Sequence, residues 1–416
     1  MTKLFLCLPA FVLLAACGAG GGAGPSTITG ATVGAVGLGS GGLSGTPATT
    51  TTSSTPAHTF VAPTVAKTYS AISALQSFNY KVDDTNTQQQ YAQIYAGNAA
   101  SVRSPTTTIA YDPRDAIFTL TIKDTGAIID NTVRFQDPAH RTDFAGNITP
   151  GFGTPNLTVD SVLYLEVKTA TGGVQTGASN TALPDTGGVV PSGSDTSGFF
   201  YQRPGASTRY VTFAGYVRNK VDIAKITPTG TPSYLETSYK LERGVFVYGE
   251  QTARPDVPIS GSGTYTGAFI ATMIDNPTLD GIVAAAQPSY YQWIAGASTV
   301  GVNFGTGAVS VALTGTTGAP FRDNHTFGTS FVPGGAAFTA AGTGRIDLVG
   351  TGGFTGTFQS AGFTWATGSQ ALTIAGSSLD GAFYGPGAAE VGAALRIVGG
   401  TPDQRVDILG ALTGSR

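Results

Sequence analysis

Apolar and polar positions alternate with a period of two through much of the second half of the chain. Val300, Val302 and Phe304 alternate with Gly301 and Asn303, Gly305-Thr306-Gly307 reverses the chain, and Val309, Val311 and Leu313 then alternate with Ser310 and Ala312. This is the pattern of a β-hairpin. Tyr265, Gly267 and Phe269 repeat it, as do Phe354, Gly356 and Phe358, and Leu379, Gly381 and Phe383. In each case bulky residues share a face with glycine, which is how small antiparallel barrels bend and pack as they close. Closure also removes the free edges that invite aggregation. The pattern predicts an antiparallel β-barrel over 243–416.

The preceding part, 59–242, predicts a second β domain, so the fold class is all-β. Ala116 to Ile122 reads as a strand with Phe118, Leu120 and Ile122 on one face, and Val162 to Val167 and Tyr210 to Val217 read as two more. Thr169 to Ser197 is rich in Gly, Thr, Ser and Pro, too long for a tight turn, and is expected to be a surface loop or a functional excursion. Helix signals are weak; Thr85 to Asn98 and Leu279 to Ala286 are the expected short helices.

The first 58 residues differ from the rest. Lys3 precedes an uncharged run from Leu4 to Ala16 that ends Leu14, Ala15, Ala16, Cys17. That is a secretory leader over 1–16, too short to span as a stable helix. Leu-Ala-Ala-Cys resembles the bacterial lipobox, which implies that Cys17 is acylated and becomes the mature N-terminus; otherwise it is one more small residue of an ordinary leader. Cys7, the only other cysteine, lies within the leader, so the mature chain has no disulfide to form and relies on its core. Residues 17–58 are Gly, Ser, Thr, Ala and Pro without a charge, a flexible tether whose coil spans roughly 35 Å r.m.s..

Composition narrows the function. Charged residues are 11% of the chain and the net charge is −3, against about 25% charged in ordinary soluble proteins. No basic stripe supplies a counterion-release term, so nucleic acid is not the partner. His58, His140 and His325 are isolated from other metal-ligand types and read as surface residues, so no metal or other cofactor is expected. There is no G-x-S-x-G elbow, and pairs such as Gly342-Thr343-Gly344 do not make a phosphate fingerprint. Asp83-Asp84-Thr85-Asn86 holds half of a calcium loop without its Gly or closing Glu, and reads as a solvated turn. An enzyme is not expected.

Residues Gly381-Ala382-Phe383-Tyr384-Gly385-Pro386-Gly387-Ala388-Ala389-Glu390-Val391-Gly392 resemble the strand-turn-strand signature of the transferrin-binding protein B family of Gram-negative surface lipoproteins. Tyr248-Gly249, Pro258, Ser260-Gly261 and Thr264-Tyr265-Thr266-Gly267 resemble the approach to that family's barrel, and Gly410-Ala411-Leu412 its last strand. The order is the family's. By chemistry alone, Phe383 faces the core, Tyr384 faces out, Pro386 and Gly387 turn the chain, and the Glu390 carboxylate beside the turn is placed to accept backbone N–H groups. The signature therefore reads as structural. Family members of full length carry two lobes, each a handle domain plus an eight-stranded barrel, so the resemblance implies a handle-like β domain over 59–242 and an antiparallel eight-stranded β-barrel over 243–416; this chain has residues for one lobe and shows no second copy of the signature.

The resemblance implies a lipoprotein anchored in the outer membrane, on its surface or periplasmic face. It would capture a protein or small solute for iron or nutrient uptake with a TonB-dependent receptor. An adhesion or structural envelope lipoprotein shares the tether and the β-rich composition. A porin-like membrane barrel is disfavoured by the lipid anchor and by Leu412 to Arg416, which lacks a terminal aromatic. The aromatic group Tyr290, Tyr291 and Trp293, in the connecting segment Pro288 to Ile294, is the candidate ligand contact, since such rings offer large area with few rotors to freeze; the reading that outweighs it is that they plug one end of the barrel.

Overall fold

The computed structural model describes residues 65–84, 90–95, 101–103, 106–124, 129–136, 155, 162–169, 193–202, 207–276, 290–322, 325–326, 332–401 and 404–416. Cys17, the leader and the tether lie outside them. So do His58, His140, the Leu279 to Ala286 helix and most of the 169–197 loop.

Three β layers are stacked. The first is a four-stranded sheet of β1 (Lys67–Ser70), β4 (Thr107–Asp112), β5 (Ile117–Asp124) and β6 (Ile129–Gln136), in the order β1-β4-β5-β6. The second holds β2 (Ile72–Asp83), β3 (Gln90–Tyr95), β7 (Val162–Thr169), β8 (Ser194–Gln202), β9 (Val211–Ile226) and β10 (Tyr234–Gly249), in the order β3-β2-β10-β9-β8-β7. The third is the barrel.

The middle sheet explains why its strands read as unbroken apolar runs. Gly244-Val245-Phe246-Val247-Tyr248 in β10 sends Phe246 and Tyr248 to one face and Val245 and Val247 to the other. Phe246 and Tyr248 join Leu75, Phe199 and Tyr216 against Ile109, Phe118, Leu120 and Phe135 of the first layer. The rings there pack closely, Phe135 lying 5.2 Å from Phe199 and Phe118 lying 4.7 Å from Tyr201 between centroids. Val245 and Val247 join Ile72, Val211 and Phe213 against the outer wall of the barrel. A strand buried on both faces has no polar phase to alternate with.

Eight strands make the barrel: β11 (Ser262–Asn276), β12 (Tyr290–Asn303), β13 (Ala308–Thr317), β16 (Ala337–Asp347), β17 (Gly353–Trp365), β19 (Thr373–Tyr384), β20 (Glu390–Thr401) and β21 (Gln404–Ser415). They run in the order β11-β21-β20-β19-β17-β16-β13-β12, and β11 pairs with β12 to close the ring. Short strands β14 (Phe321–Arg322), β15 (His325–Thr326) and β18 (Gly368–Ala371) are added at its rim. The hairpin of β12 and β13 pairs Val300 with Val311 and Val302 with Val309, and turns at Gly307. Inward residues fill the interior, among them Tyr265, Phe269, Phe338, Phe354, Phe358, Phe363 and Phe383. Glycine makes room for them: a Cβ on Gly381 would lie 2.2 Å from the ring tip of Phe354. The interior is a packed core.

One seam in the wall departs from regular pairing. β17 and β19 pair only over Phe354 to Gly356 and Leu379 to Gly381. Beyond that, the Ser377 hydroxyl accepts the Phe358 N–H at 2.9 Å and lies 3.3 Å from the Phe358 carbonyl, standing in for a backbone partner. The seam coincides with bulges in both adjoining pairings, at Ala341/Gly342 and at Ile374/Gly376.

Two expectations are corrected. Gln90–Tyr95, inside the expected helix over Thr85 to Asn98, is an edge strand on β2; weak helix preference yields to an available row of sheet hydrogen bonds. The boundary at 242/243 falls inside β10, which pairs with β2 and β9 along its length. The chain passes from the middle sheet to the barrel between Gly249 and Ser262 instead, through a 3-10 turn at Arg254–Asp256.

Candidate functional site

The signature residues form the joint between the middle sheet and the barrel. β19 ends at Tyr384, β20 begins at Glu390, and the turn between them carries positive φ at Gly385 (72°), Gly387 (58°) and Ala388 (57°). Gly385 is doubly constrained, since a Cβ there would also lie 2.4 Å from the ring of Tyr210. Phe383 faces the barrel core, 5.6 Å from the rings of both Phe304 and Phe354.

Glu390 is buried, and its carboxylate accepts three successive backbone N–H groups: Arg209 at 2.6 Å, Tyr210 at 2.8 Å and Val211 at 3.0 Å. Consecutive amides aimed at one anion form a compact charge-assisted site. The linker after β10 grips the same turn from another side. Gly385 N–H donates to the Glu250 carbonyl, Thr252 N–H to the Phe383 carbonyl and the Thr252 hydroxyl to the Gly385 carbonyl. Tyr265 and Arg416 donate to the carbonyls of Ala388 and Gly387.

Tyr384 points away from the barrel core, as expected, and there it is fully buried beneath the middle sheet with Val211, Val247 and Ala411. Small outward residues let the sheet press close: a Cβ on Gly392 would lie 2.3 Å from Val247. Arg103 adds a clamp at the edge, donating from Nε to Asp380 and from Nη2 to the Gly381 carbonyl.

The aromatic group is corrected. Tyr290, Tyr291 and Trp293 belong to β12 and are 5%, 1% and 6% exposed, so they are not a surface contact. Alternation divides them. Tyr290 faces the barrel interior; Tyr291 meets Phe78 edge-on at 6.0 Å and Trp293 meets Phe200 edge-on at 5.4 Å, both across the joint with the middle sheet. They read as a loop because both faces of this strand end are buried, which erases alternation.

Several charged residues in the joint carried no motif. Arg243, 1% exposed on β10, lies over the Tyr291 ring at 4.6 Å and donates to Asn219 and to the carbonyls of Arg218 and Glu242. Burial pulls its guanidinium below the ordinary value, with Tyr291 and Glu242 opposing. Arg396 on β20 and Asp407 on β21 form a buried two-pronged pair at 3.1 and 3.0 Å on the outward face that the middle sheet covers. The signal available in the sequence was a charge set among apolar residues on both phases of a strand.

At the end of the barrel away from the signature, Asp275 points inward and is fully buried. Tyr290 donates its hydroxyl to Asp275 at 3.2 Å and accepts the Val332 N–H at 3.1 Å. Gln292 donates to the carbonyls of Gly318 and Val332. Burial pushes the Asp275 carboxyl up to about 7, the Tyr290 hydroxyl pulling the other way. Among the described residues, no group of three or more His, Cys, Asp or Glu is placed to hold a metal ion.

No family model matches the sequence, and no curated protein matches it. Among solved structures, the chain is similar to a point mutant of transferrin-binding protein B from Haemophilus parasuis, at 14% identity and a TM-score of 0.29, over 84% of this chain and 76% of that one. It is similar to isotype 1 transferrin-binding protein B from serogroup B Neisseria meningitidis at 12% identity and a TM-score of 0.23, over 85% and 77%. It is also similar to OprE of Pseudomonas aeruginosa at 10% identity and a TM-score of 0.21, over 83% and 98%.

Proposed function

We propose that this chain is a lipid-anchored binding protein of the outer membrane, held by Cys17 and capturing a protein or small solute outside the cytoplasm. The observation that carries the reading is the division of the barrel wall. One arc, with Ile270, Ala394, Leu409 and Ala411, is covered by the middle sheet. The free arc exposes Ser310 and Thr314 on β13, Thr339 and Thr343 on β16, and Thr357 and Gln359 on β17. A barrel that spans a bilayer turns an apolar band outward, whereas this free arc is suited to water. With the interior filled, recognition falls to the segments at the barrel ends and the sheet edges.

Supply of the captured solute to a TonB-dependent receptor is part of the proposal and rests on the sequence resemblance. Its ligand is not carried over, because the ligand-contacting loops are the variable part of that family.

Replacing Cys17 with Ala is expected to abolish labelled-palmitate incorporation and release the protein from the membrane fraction, since each buried CH₂ of an anchor contributes about 0.8 kcal/mol. A variant that still carries label and sediments as the parent does would overturn the anchor. Capture is tested separately by pull-down from envelope extract and growth medium, with the heat-unfolded protein as reference. A partner retained only by the folded protein supports binding; equal recovery on both sinks it.

A further inference from the structure

The barrel end that carries Asp275 is closed by residues 332–336, which pair with the Thr317 backbone, Gly335 N–H donating to the Thr317 carbonyl and Thr317 N–H to the Ala336 carbonyl, and reach one buried carboxyl through Tyr290. Val332 and Ala336 belong to the barrel core. Three side chains fasten the segment: Tyr290 accepts the Val332 N–H, Gln292 donates to the Val332 carbonyl, and Thr317 donates to the Pro333 carbonyl and accepts the Ala336 N–H at 3.0 Å. Tyr290 is in turn oriented by Asp275, whose Oδ2 accepts its hydroxyl proton. Among the described residues, the other carboxyl oxygen, Oδ1, has no hydrogen-bond partner, and neither does Gln292 Oε1 on the same face of the neighbouring strand.

An ionised carboxylate with one donor, in an apolar interior, is costly unless water or a cation reaches it. Nothing on the neighbouring described elements supplies one. On β12 the facing titratable group is Tyr290 itself. On β21 the inward neighbours are Val406 and Ile408, while Arg405 and Asp407 point out of the barrel and pair with each other there. The covering segment, Val332-Pro333-Gly334-Gly335-Ala336, carries no charge.

We propose that this end of the barrel is a proton-controlled closure: Asp275 lies beneath residues 332–336 while it is neutral, and loss of its proton to solvent, which places an ionised carboxylate in an apolar interior, releases those residues so that water can reach it. The direction is fixed by the charge. The end is shut in acid and loosens as the pH rises through the titration of Asp275, whose carboxyl burial already displaces upward. This goes beyond the binding reading and does not depend on it.

Backbone amide exchange of the intact protein between pH 5.5 and 8.5, corrected for the intrinsic rate at each pH, reads the closure directly. Protection of the Val332, Gly335 and Ala336 amides is expected to fall at least tenfold across that range while mid-barrel amides such as Val300 hold. In Asp275→Asn the three amides should keep their protection at every pH. Unchanged protection in the parent, or a fall that persists in Asp275→Asn, overturns the proposal. If the variant does not fold, carbonyl-carbon titration of Asp275 in the parent decides: a midpoint near 7 that coincides with the loss of protection supports the closure, and a midpoint near 4 removes it.

Discussion

The carboxylate of Glu390 accepts the backbone N–H of Val211 at 3.0 Å, joining the first residue of β20 to the first residue of β9. With Arg209 and Tyr210 it orders the chain as it enters the middle sheet. Glu390→Ala strands three donors near a buried surface, and a buried unsatisfied group costs about 1–3 kcal/mol. The expected loss is about 3 kcal/mol or more, read from the midpoint and slope of urea unfolding. Glu390→Gln, which keeps an acceptor, should lose less. A change below about 0.5 kcal/mol in Glu390→Ala would show that the carboxylate is not what joins the two layers.

The Arg396 and Asp407 pair supports a two-step comparison. Arg396→Ala leaves a buried carboxylate without its main partner and is expected to cost about 3–5 kcal/mol, whereas Arg396→Met with Asp407→Leu should recover most of that, because apolar replacement of a buried pair is often neutral. Denaturant unfolding of the three proteins checks it. If both are equally destabilised, the pair is worth more than its burial.

Replacing Tyr290, Tyr291 and Trp293 together with Ala should collapse the melting transition, since each ring is buried and a buried aromatic replaced by Ala costs about 3–5 kcal/mol. Calorimetry of the triple variant decides. A melting temperature within a few degrees of the parent would contradict their burial between the layers.

Asp275 makes stability depend on pH in a stated direction. Its folded-state value, about 7, lies above the ordinary 3.8, so between them the folded protein keeps a proton that the unfolded chain loses. Stability is then highest below the unfolded value and declines as the pH rises toward 7, by on the order of 4 kcal/mol in total. Urea unfolding at pH 5 and pH 8 should show the decline in the parent and its loss in Asp275→Asn.

Ser377 is expected to hold the barrel seam. Ser377→Ala removes the hydroxyl that serves Phe358, costing about 1–2 kcal/mol, with faster amide exchange at Phe358 than at Phe354. Equal exchange at the two positions would mean that the seam is held elsewhere.

What the sequence disclosed follows from how far apart the partners are. The hairpin of Val300 to Leu313 was legible because its turn and both strands are adjacent. The acceptor role of Glu390 was legible from its place beside a turn, but its donors were not, because they lie 179 to 181 residues away. Tyr291 and Trp293 resemble an exposed aromatic loop in one dimension; only the second sheet laid over β12 turns them into core. The outward direction of Tyr384 was legible from alternation, but the sheet that covers it was not. Asp275 and Arg243 carried no motif, and only the fold shows that their surroundings are apolar.

The pairing of β11 with both β12 and β21 means that the ring cannot be completed until the strand latest in the chain has formed. Until then β11 and β20 each present a long unpaired edge, and the partners that must meet are separated by nearly the whole barrel segment. Such non-local contacts are slow to form, and open edges in the interval invite association between chains. A polypeptide of this design therefore stays vulnerable until β21 has been made and has paired, and the rate of that strand's arrival, rather than the strength of the finished core, sets how much of it survives.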